Sequence, residues 1–348
     1  MMREQLELAT EYPPAGEEGY AQQLAEFLRA KVQKDYPTGI TRRDAHAKHH
    51  GCVRAEFIVE PNLPAELRVG VFREPRTYLA WIRFSNQAGT PKPDLEKDIR
   101  GMAIKLMGVE GEKLLEDESS EQTQDFILIS HPVFVTRDVA EFYHLIKATT
   151  GGILRLGWFF FNPFNMHWRT FRNLMASLQR HANPLEIRYW STTPYLFGTR
   201  AVKYSTRPQT PQVTAIPVNP SPDFLKEALK QSLVAGEAKF DFMVQFQTDA
   251  VRMPIEDPGV LWNEELSQFR KVATIRMIQQ EFDSREQLTF GENISFTPWH
   301  SVPEHRPIGG INRARKLVYR IISEFRHQRN RTPRKEPRSW ELSPLLES

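Results

Sequence analysis

Two short stretches near opposite ends of the chain carry residues suited to one chemistry. Arg43-Asp44-Ala45-His46-Ala47-Lys48 sets a histidine three residues after an arginine. Arg315-Lys316-Leu317-Val318-Tyr319 sets a tyrosine four residues after another arginine, and Arg326 follows seven residues later. An arginine one helical turn before a tyrosine shares its face and favours loss of the phenolic proton. The phenolate so formed can bind ferric iron. A histidine on the opposite side could carry protons to and from a bound peroxide.

The segments between must bring these residues together. Residues Glu17 to Asp35 read as an amphipathic helix with Tyr20, Leu24, Phe27, Leu28 and Val32 on one stripe. Strand-like segments follow at Val53 to Val59, Leu67 to Phe72, Tyr78 to Ser85, Gly101 to Met107 and Phe126 to Ser130. In Tyr78 to Ser85 the alternation puts Trp81, Arg83 and Ser85 on one face. Helices are expected at Val139 to Thr149, Met166 to His181 and Asp223 to Ala235, and strands at Glu186 to Ser191, Arg200 to Ser205, Lys239 to Gln247 and Ala273 to Ile278. Residues Ile311 to His327 form the last strong helical pattern. Many strands with sizeable insertions favour a closed antiparallel barrel over an open parallel sheet.

With 348 residues and one cysteine, Cys52, the chain can bury a large core and cannot form an internal disulfide. That suits a reducing compartment, and with no apolar run long enough to span a bilayer and no secretory signal in Met1 to Pro14, a cytoplasmic location is expected. A net charge of +3 gives no global field for nucleic acid. His49-His50 with His46 could suggest a metal cluster, but none is expected there. The aromatic stretch Trp158 to Phe164, with Trp168, could line an access route or touch lipid, giving a peripheral membrane contact; buried packing is the expectation. The Arg-rich C-terminal region is expected to be a solvated helix face.

The blocks resemble haem catalases. Arg43-x-x-His46-Ala47-Lys48 resembles the distal-histidine motif. Ile82-Arg83-Phe84-Ser85, then Asp98-Ile99-Arg100-Gly101-Met102-Ala103-Ile104-Lys105, resembles the Arg-Phe-Ser and Asp-x-Arg-Gly-Phe-Ala-x-Lys pattern. Pro132-Val133-Phe134 with Arg137-Asp138 resembles the segment after the distal asparagine, and Arg315-x-x-x-Tyr319 the axial-tyrosine signature. The blocks keep catalase order over residues 43 to 326. The chain lacks the C-terminal extension of a full catalase and so is similar to the small, core-only branch of catalase-related peroxidases.

The resemblance implies an α+β fold: a catalase-like antiparallel β-barrel with peripheral helices, in one domain over residues 1–330, followed by a Pro/Arg-rich tail at 331–348. It implies haem b (iron protoporphyrin IX) as cofactor, with Tyr319 as axial metal ligand and Arg315 supporting its phenolate. His46 would be the acid/base, Ser85 would fix its ring, and Arg43, Arg83 and Arg326 would bind the haem propionates through their planar forks. Phe134 and Phe142 correspond to haem-pocket positions. Two departures stand out. The family's asparagine pair is replaced by Ile129-Ser130, so Ser130 is the candidate for a hydroxyl in place of the amide. Ala45 replaces the usual valine before the histidine. The implied function is consumption of hydrogen peroxide or organic hydroperoxides with a small organic reductant. The alternatives are a fatty-acid hydroperoxide isomerase or lyase, and a haem carrier or sensor. A homo-oligomer is compatible with the sequence.

Overall fold

Alternating apolar residues build the first long strands, β1 (His49–Val59) and β2 (Thr77–Asn86). The computed structural model describes residues 6–211 and 213–342. The strands β3 (Arg100–Met107), β4 (Thr123–Ile129), β5 (Tyr189–Trp190), β6 (Tyr195–Phe197), β7 (Arg200–Pro208), β8 (Ala238–Phe246) and β9 (Arg270–Met277) complete one antiparallel sheet. Because the two-residue β5 pairs with both β4 and β7, and β1 pairs with both β2 and β9, the sheet closes into an eight-stranded barrel. β6 lies outside the ring as an extra strand on β7.

Strand alternation divides the wall in two. Val53, Ala55, Phe57, Ile82, Phe84, Met102, Ile104, Phe126 and Leu128 point inward and form a solid core with no exposed apolar gap among them. Their neighbours Trp81, Arg83 and Ser85 on β2, Gly101, Ala103 and Lys105 on β3, and Asp125 and Ile127 on β4 take the opposite face. They stand in rows: Ser85 opposite Gly101, Arg83 opposite Ala103, and Trp81 opposite Lys105. The rows continue with Ala103 opposite Ile127 and Lys105 opposite Asp125.

Helices cover that outer face. The long α7 (Gly310–Asn330) packs on α1 (Glu17–Asp35) through Leu24, Leu28, Val32, Val318 and Ile322. Arg313 fixes its first turn by pairing with Glu11, Glu17 and Glu256. The helix α6 (Arg285–Asn293) begins at Ser284, whose side chain accepts from the Gln287 N–H, and lays Phe290 against Trp81 at 4.6 Å between ring centres. The remaining helices are α2 (Val139–Thr150), α3 (Ile153–Phe161), α4 (Trp168–Ser177) and α5 (Phe224–Ala235).

The expected barrel and its peripheral helices are present, and several local expectations change. Leu67 to Phe72 is two short 3-10 turns, Ala65–Leu67 and Gly70–Phe72, because the φ of +53° at Gly70 is incompatible with a strand. The segment from Met166 is helical only over Trp168–Ser177. Helix α6 had not been expected; its apolar signal is weak. The stretch Trp158 to Phe164 is not buried packing: of α3 only Phe160 is buried, while Trp158, Phe161 and Phe164 are exposed.

Residues 331–342 run across the barrel wall as a strap. The Trp340 indole donates to Ala80 O at 3.1 Å, and the Trp81 indole donates to Ser339 O at 3.2 Å. Glu336 reaches the buried Lys105, which also pairs with Asp125 at 2.8 Å. Burial opposes the charge on Lys105, but Asp125 and Glu336 outweigh it and hold its pKa above the usual lysine value.

Candidate active site

A cavity of about 120 Å³ lies between the outer wall of β2–β4, the loop before β1, the segment after α6 and helix α7. Arg43, His46, Arg83, Ser85, Tyr319 and Arg326 all line it. Residues at the two ends of the chain therefore meet in one place.

The α7 contribution follows from helical spacing. Tyr319, Ile322, Ser323 and Arg326 fall at i, i+3, i+4 and i+7, so they share the face that looks onto the wall. Arg315 lies one turn earlier. Its guanidinium donates to Thr193 Oγ1 at 3.1 Å and Asn312 Oδ1 at 3.2 Å, and sits 5.7 Å from the Phe134 ring centre. It is not part of the lining, but its charge reaches the phenol. Burial raises the Tyr319 pKa, Arg315 opposes that rise, and Asp44 adds to it.

Opposite, His46 is held on every side. Its backbone has a φ of +58°, a conformation uncommon for a side-chain-bearing residue. Two hydrogen bonds maintain it: His46 N–H donates to Gln87 O at 2.9 Å, and Arg83 Nη2 donates to His46 O at 3.0 Å. The ring Nδ1 shares a 3.0 Å hydrogen bond with Ser85 Oγ, which fixes the ring and leaves Nε2 unengaged by that contact. Gly101 makes the room. A Cβ there would stand 2.6 Å from His46 Cε1 and Nδ1 and 3.0 Å from Ser85 Oγ. Burial, with Arg83, Arg43 and Arg315 nearby, pulls the His46 pKa down to about 3. The imidazole is thus a neutral base.

Three guanidiniums converge on the last turn of α6. Arg43 donates to the Glu292 carbonyl at 2.9 Å and to that of Ile294. Arg83 Nε donates to Gly291 O at 3.0 Å, and Arg326 donates to Glu292 O at 2.7 Å and Asn293 O at 3.2 Å. These carbonyls are the negative end of the helix dipole. Glu292, 3.6 Å from Arg43, is the one carboxylate paired with this trio among the described residues. Burial lowers the pKa of all three arginines, and repulsion from Arg43 adds to this at Arg83 and at Arg326, whose pKa falls to about 9. Two buried positive charges are left without an acidic partner, so this end of the cavity fits a ligand with carboxylates. A phenol on one wall and a neutral imidazole on the other fit a ferric centre and a proton carrier. The residues present therefore suit haem.

Three expected site residues take other places. Ser130 Oγ accepts the Arg100 N–H at 2.9 Å, and the residue is outside the lining. Phe134 and Phe142 pack edge to face at 5.1 Å with Ala21, Val139, Ile311 and Ala314, away from the lining. Sequence reasoning missed Asp44, Met102, Phe296, Ile322 and Ser323 as lining residues. Counting three and four residues on from Tyr319 would have found the last two; Phe296 carries no local signal. No group of His, Cys, Asp and Glu suited to a metal ion occurs among the described residues.

The family model for catalase matches residues 9–152, which include Arg43, His46, Arg83 and Ser85 but not Tyr319 or Arg326. A catalase-related peroxidase from Mycolicibacterium paratuberculosis is 27% identical over 274 residues, covering 72% of this chain and 78% of the relative. Two solved structures share the fold. A fungal catalase superposes with a TM-score of 0.66 at 18% identity, over 93% of this chain and 66% of its own. Catalase A from Saccharomyces cerevisiae superposes with a TM-score of 0.67 at 20% identity, over 95% of this chain and 70% of its own.

Proposed function

We propose that this catalase-related protein is a haem-dependent oxidoreductase that consumes hydrogen peroxide or organic hydroperoxides, with haem b seated between His46 and Tyr319. The observation that carries this reading is the convergence of His46, Tyr319 and the Arg43–Arg83–Arg326 trio on one cavity. When bound, haem iron supplies the Lewis-acid and redox chemistry for peroxide O–O cleavage.

The chain supplies the rest. Arg43, Arg83 and Arg326 hold the propionates. Tyr319 offers its oxygen as phenolate, and Arg315 offsets part of the cost of that charge. Ser85 sets the His46 ring so that Nε2 faces the substrate side. Nε2 takes the proton from the nearer peroxide oxygen and returns it to the farther one, which leaves as water or an alcohol. Ser130 lies outside the lining of the cavity and so offers no donor to a bound peroxide. This favours turnover with an organic reductant over dismutation of hydrogen peroxide.

Titration of the haem-free chain with haemin tests the reading. One equivalent should bind with the absorption of a phenolate-ligated ferric haem, and Tyr319→Phe should lose that absorption and weaken binding at least tenfold. Because the phenol must give up its proton, affinity should rise about tenfold per pH unit below the phenol pKa. Equal binding and an identical spectrum for Tyr319→Phe would overturn the assignment. Product analysis with an organic hydroperoxide should give the alcohol; a rearranged product would instead indicate an isomerase.

Gly101→Ala tests the seat of the imidazole. The added methyl must displace His46 from Ser85, a strain of about 1–3 kcal/mol. Peroxide turnover by the haem-loaded variant should fall about tenfold, with haem content unchanged. Undiminished turnover would show that the Ser85 contact is dispensable.

A further inference from the structure

We infer that the face formed by α3, α4 and the turn between them is a docking surface for an anionic lipid bilayer. This surface is separate from the cavity, and the inference does not depend on the chemistry proposed for it.

Ile153 is 80% exposed, Leu154 87%, Trp158 63%, Phe164 93% and Trp168 54%. Single exposed apolar residues are ordinary, but a contiguous group of this kind on a monomer marks an interaction surface. The group is also held in shape. Phe160 anchors α3 in a buried cluster with Ile99, Val135 and Leu145. Phe159 stacks on His167 at 4.3 Å, and Phe161 and Trp168 both lean on Phe171, at 5.2 Å and 5.4 Å. At the tip, Phe164 N–H donates to Asn162 Oδ1 at 3.0 Å, which fixes a tight turn beneath the most exposed ring. The aromatic side chains are therefore presented by an ordered scaffold.

Charge selects the partner. From residue 142 to residue 185 the chain contains no Asp or Glu, yet it carries Lys147, Arg155, Arg169, Arg172 and Arg180. Arg169 is engaged by Asp257 at 2.7 Å. Lys147, Arg155 and Arg172 are exposed, and none has an ion-pair partner among the described residues. Aromatic and aliphatic side chains accompanied by cations without ion-pair partners among the described residues match an interface with anionic headgroups, each nearby cation adding to the attraction. A second copy of the chain fits less well, since a twofold interface would set these cations against one another. Helix α3 has nine residues, and no helix of the described residues is long and apolar enough to cross a membrane, so the contact is with the surface layer.

Flotation of the full-length, haem-loaded protein with vesicles tests this. Vesicles of phosphatidylcholine with phosphatidylglycerol should carry the protein upward, and phosphatidylcholine vesicles should do so far less. Added salt should weaken the binding. Phe164→Glu and Leu154→Glu, both at positions that bury almost nothing in the chain itself, should each reduce vesicle binding about tenfold or more while thermal unfolding stays unchanged. Arg155→Glu with Arg172→Glu should abolish the preference for the anionic vesicles. Failure to float with either composition, or undiminished flotation of Phe164→Glu, would overturn the inference. So would a dimer, seen by sedimentation, that Phe164→Glu splits and that ignores vesicles; that result would assign the face to a second copy. Haem content and peroxide turnover are read separately, so failure of either reading leaves the other standing.

Discussion

His46→Ala should retain haem at one equivalent and lose about 10²–10⁴-fold in kcat/KM for peroxide, the usual contribution of a positioned acid/base. The substitution removes the imidazole without touching Tyr319 or the arginine trio, so haem content and turnover should separate. Equal turnover would mean that the cavity carries haem without using the imidazole. The pH profile adds a second readout. An ordinary imidazole is protonated below about pH 6.5, which would silence it as a base. Burial and the neighbouring arginines put the His46 pKa at about 3, so the ring stays neutral through that range and turnover should not fall there. Stability behaves oppositely. The folded pKa is depressed, so the unfolded chain binds a proton that the folded chain refuses, and stability is complete above about pH 6.5 and declines as pH falls towards 3. His50 and His305 are lowered for the same reason, burial, to about 4 and about 3, and add to the loss. Turnover at acid pH should therefore end by unfolding, which circular dichroism recorded alongside the rate would detect.

Lys105→Met should destabilise the chain by about 3–5 kcal/mol in urea unfolding, because it strands Asp125 and Glu336 in a site closed to water. Lys105 is fully buried and pairs with both carboxylates, beside His300. The strap of residues 331–342 should loosen as well, since Glu336 is one of its ionic holds and Trp340 follows four residues later. Glu336→Gln should cost less, because Lys105 keeps Asp125. An unchanged unfolding midpoint for Lys105→Met would show that the strap is held by its remaining contacts, the two indoles, Arg334 with Glu118, and Glu336 with Thr123 and His300.

The sequence made much of this site legible, and the reason is spacing. Helical period alone sets Arg315, Tyr319 and Arg326 near one face, and strand alternation alone sets Arg83 with Ser85. Neither shows that the two faces meet. That followed from the catalase-like order of the blocks; the barrel itself closes in the structure through a two-residue strand, Tyr189–Trp190, too short to be predicted at its right length. The role of the α6 carbonyls was invisible because backbone groups leave no residue-type signature. The exposure of Trp158 and Phe164 was misread because a run of aromatics predicts burial whenever a partner is available, and here no element of the described chain covers them. Ser130 illustrates a further limit. A hydroxyl can satisfy a neighbouring N–H as readily as a ligand, and only geometry distinguishes the two.

The division of the barrel wall has a consequence for how such a protein can change over evolutionary time. Along β2, Ile82 and Phe84 belong to the packed interior, while Trp81, Arg83 and Ser85 belong to the strap and the cavity. Successive codons thus answer to different selective pressures. Mutational drift on the outward positions can retune reactivity without reopening the interior, and repacking inside reaches the cavity only through residues such as Met102 and Leu128 that belong to both.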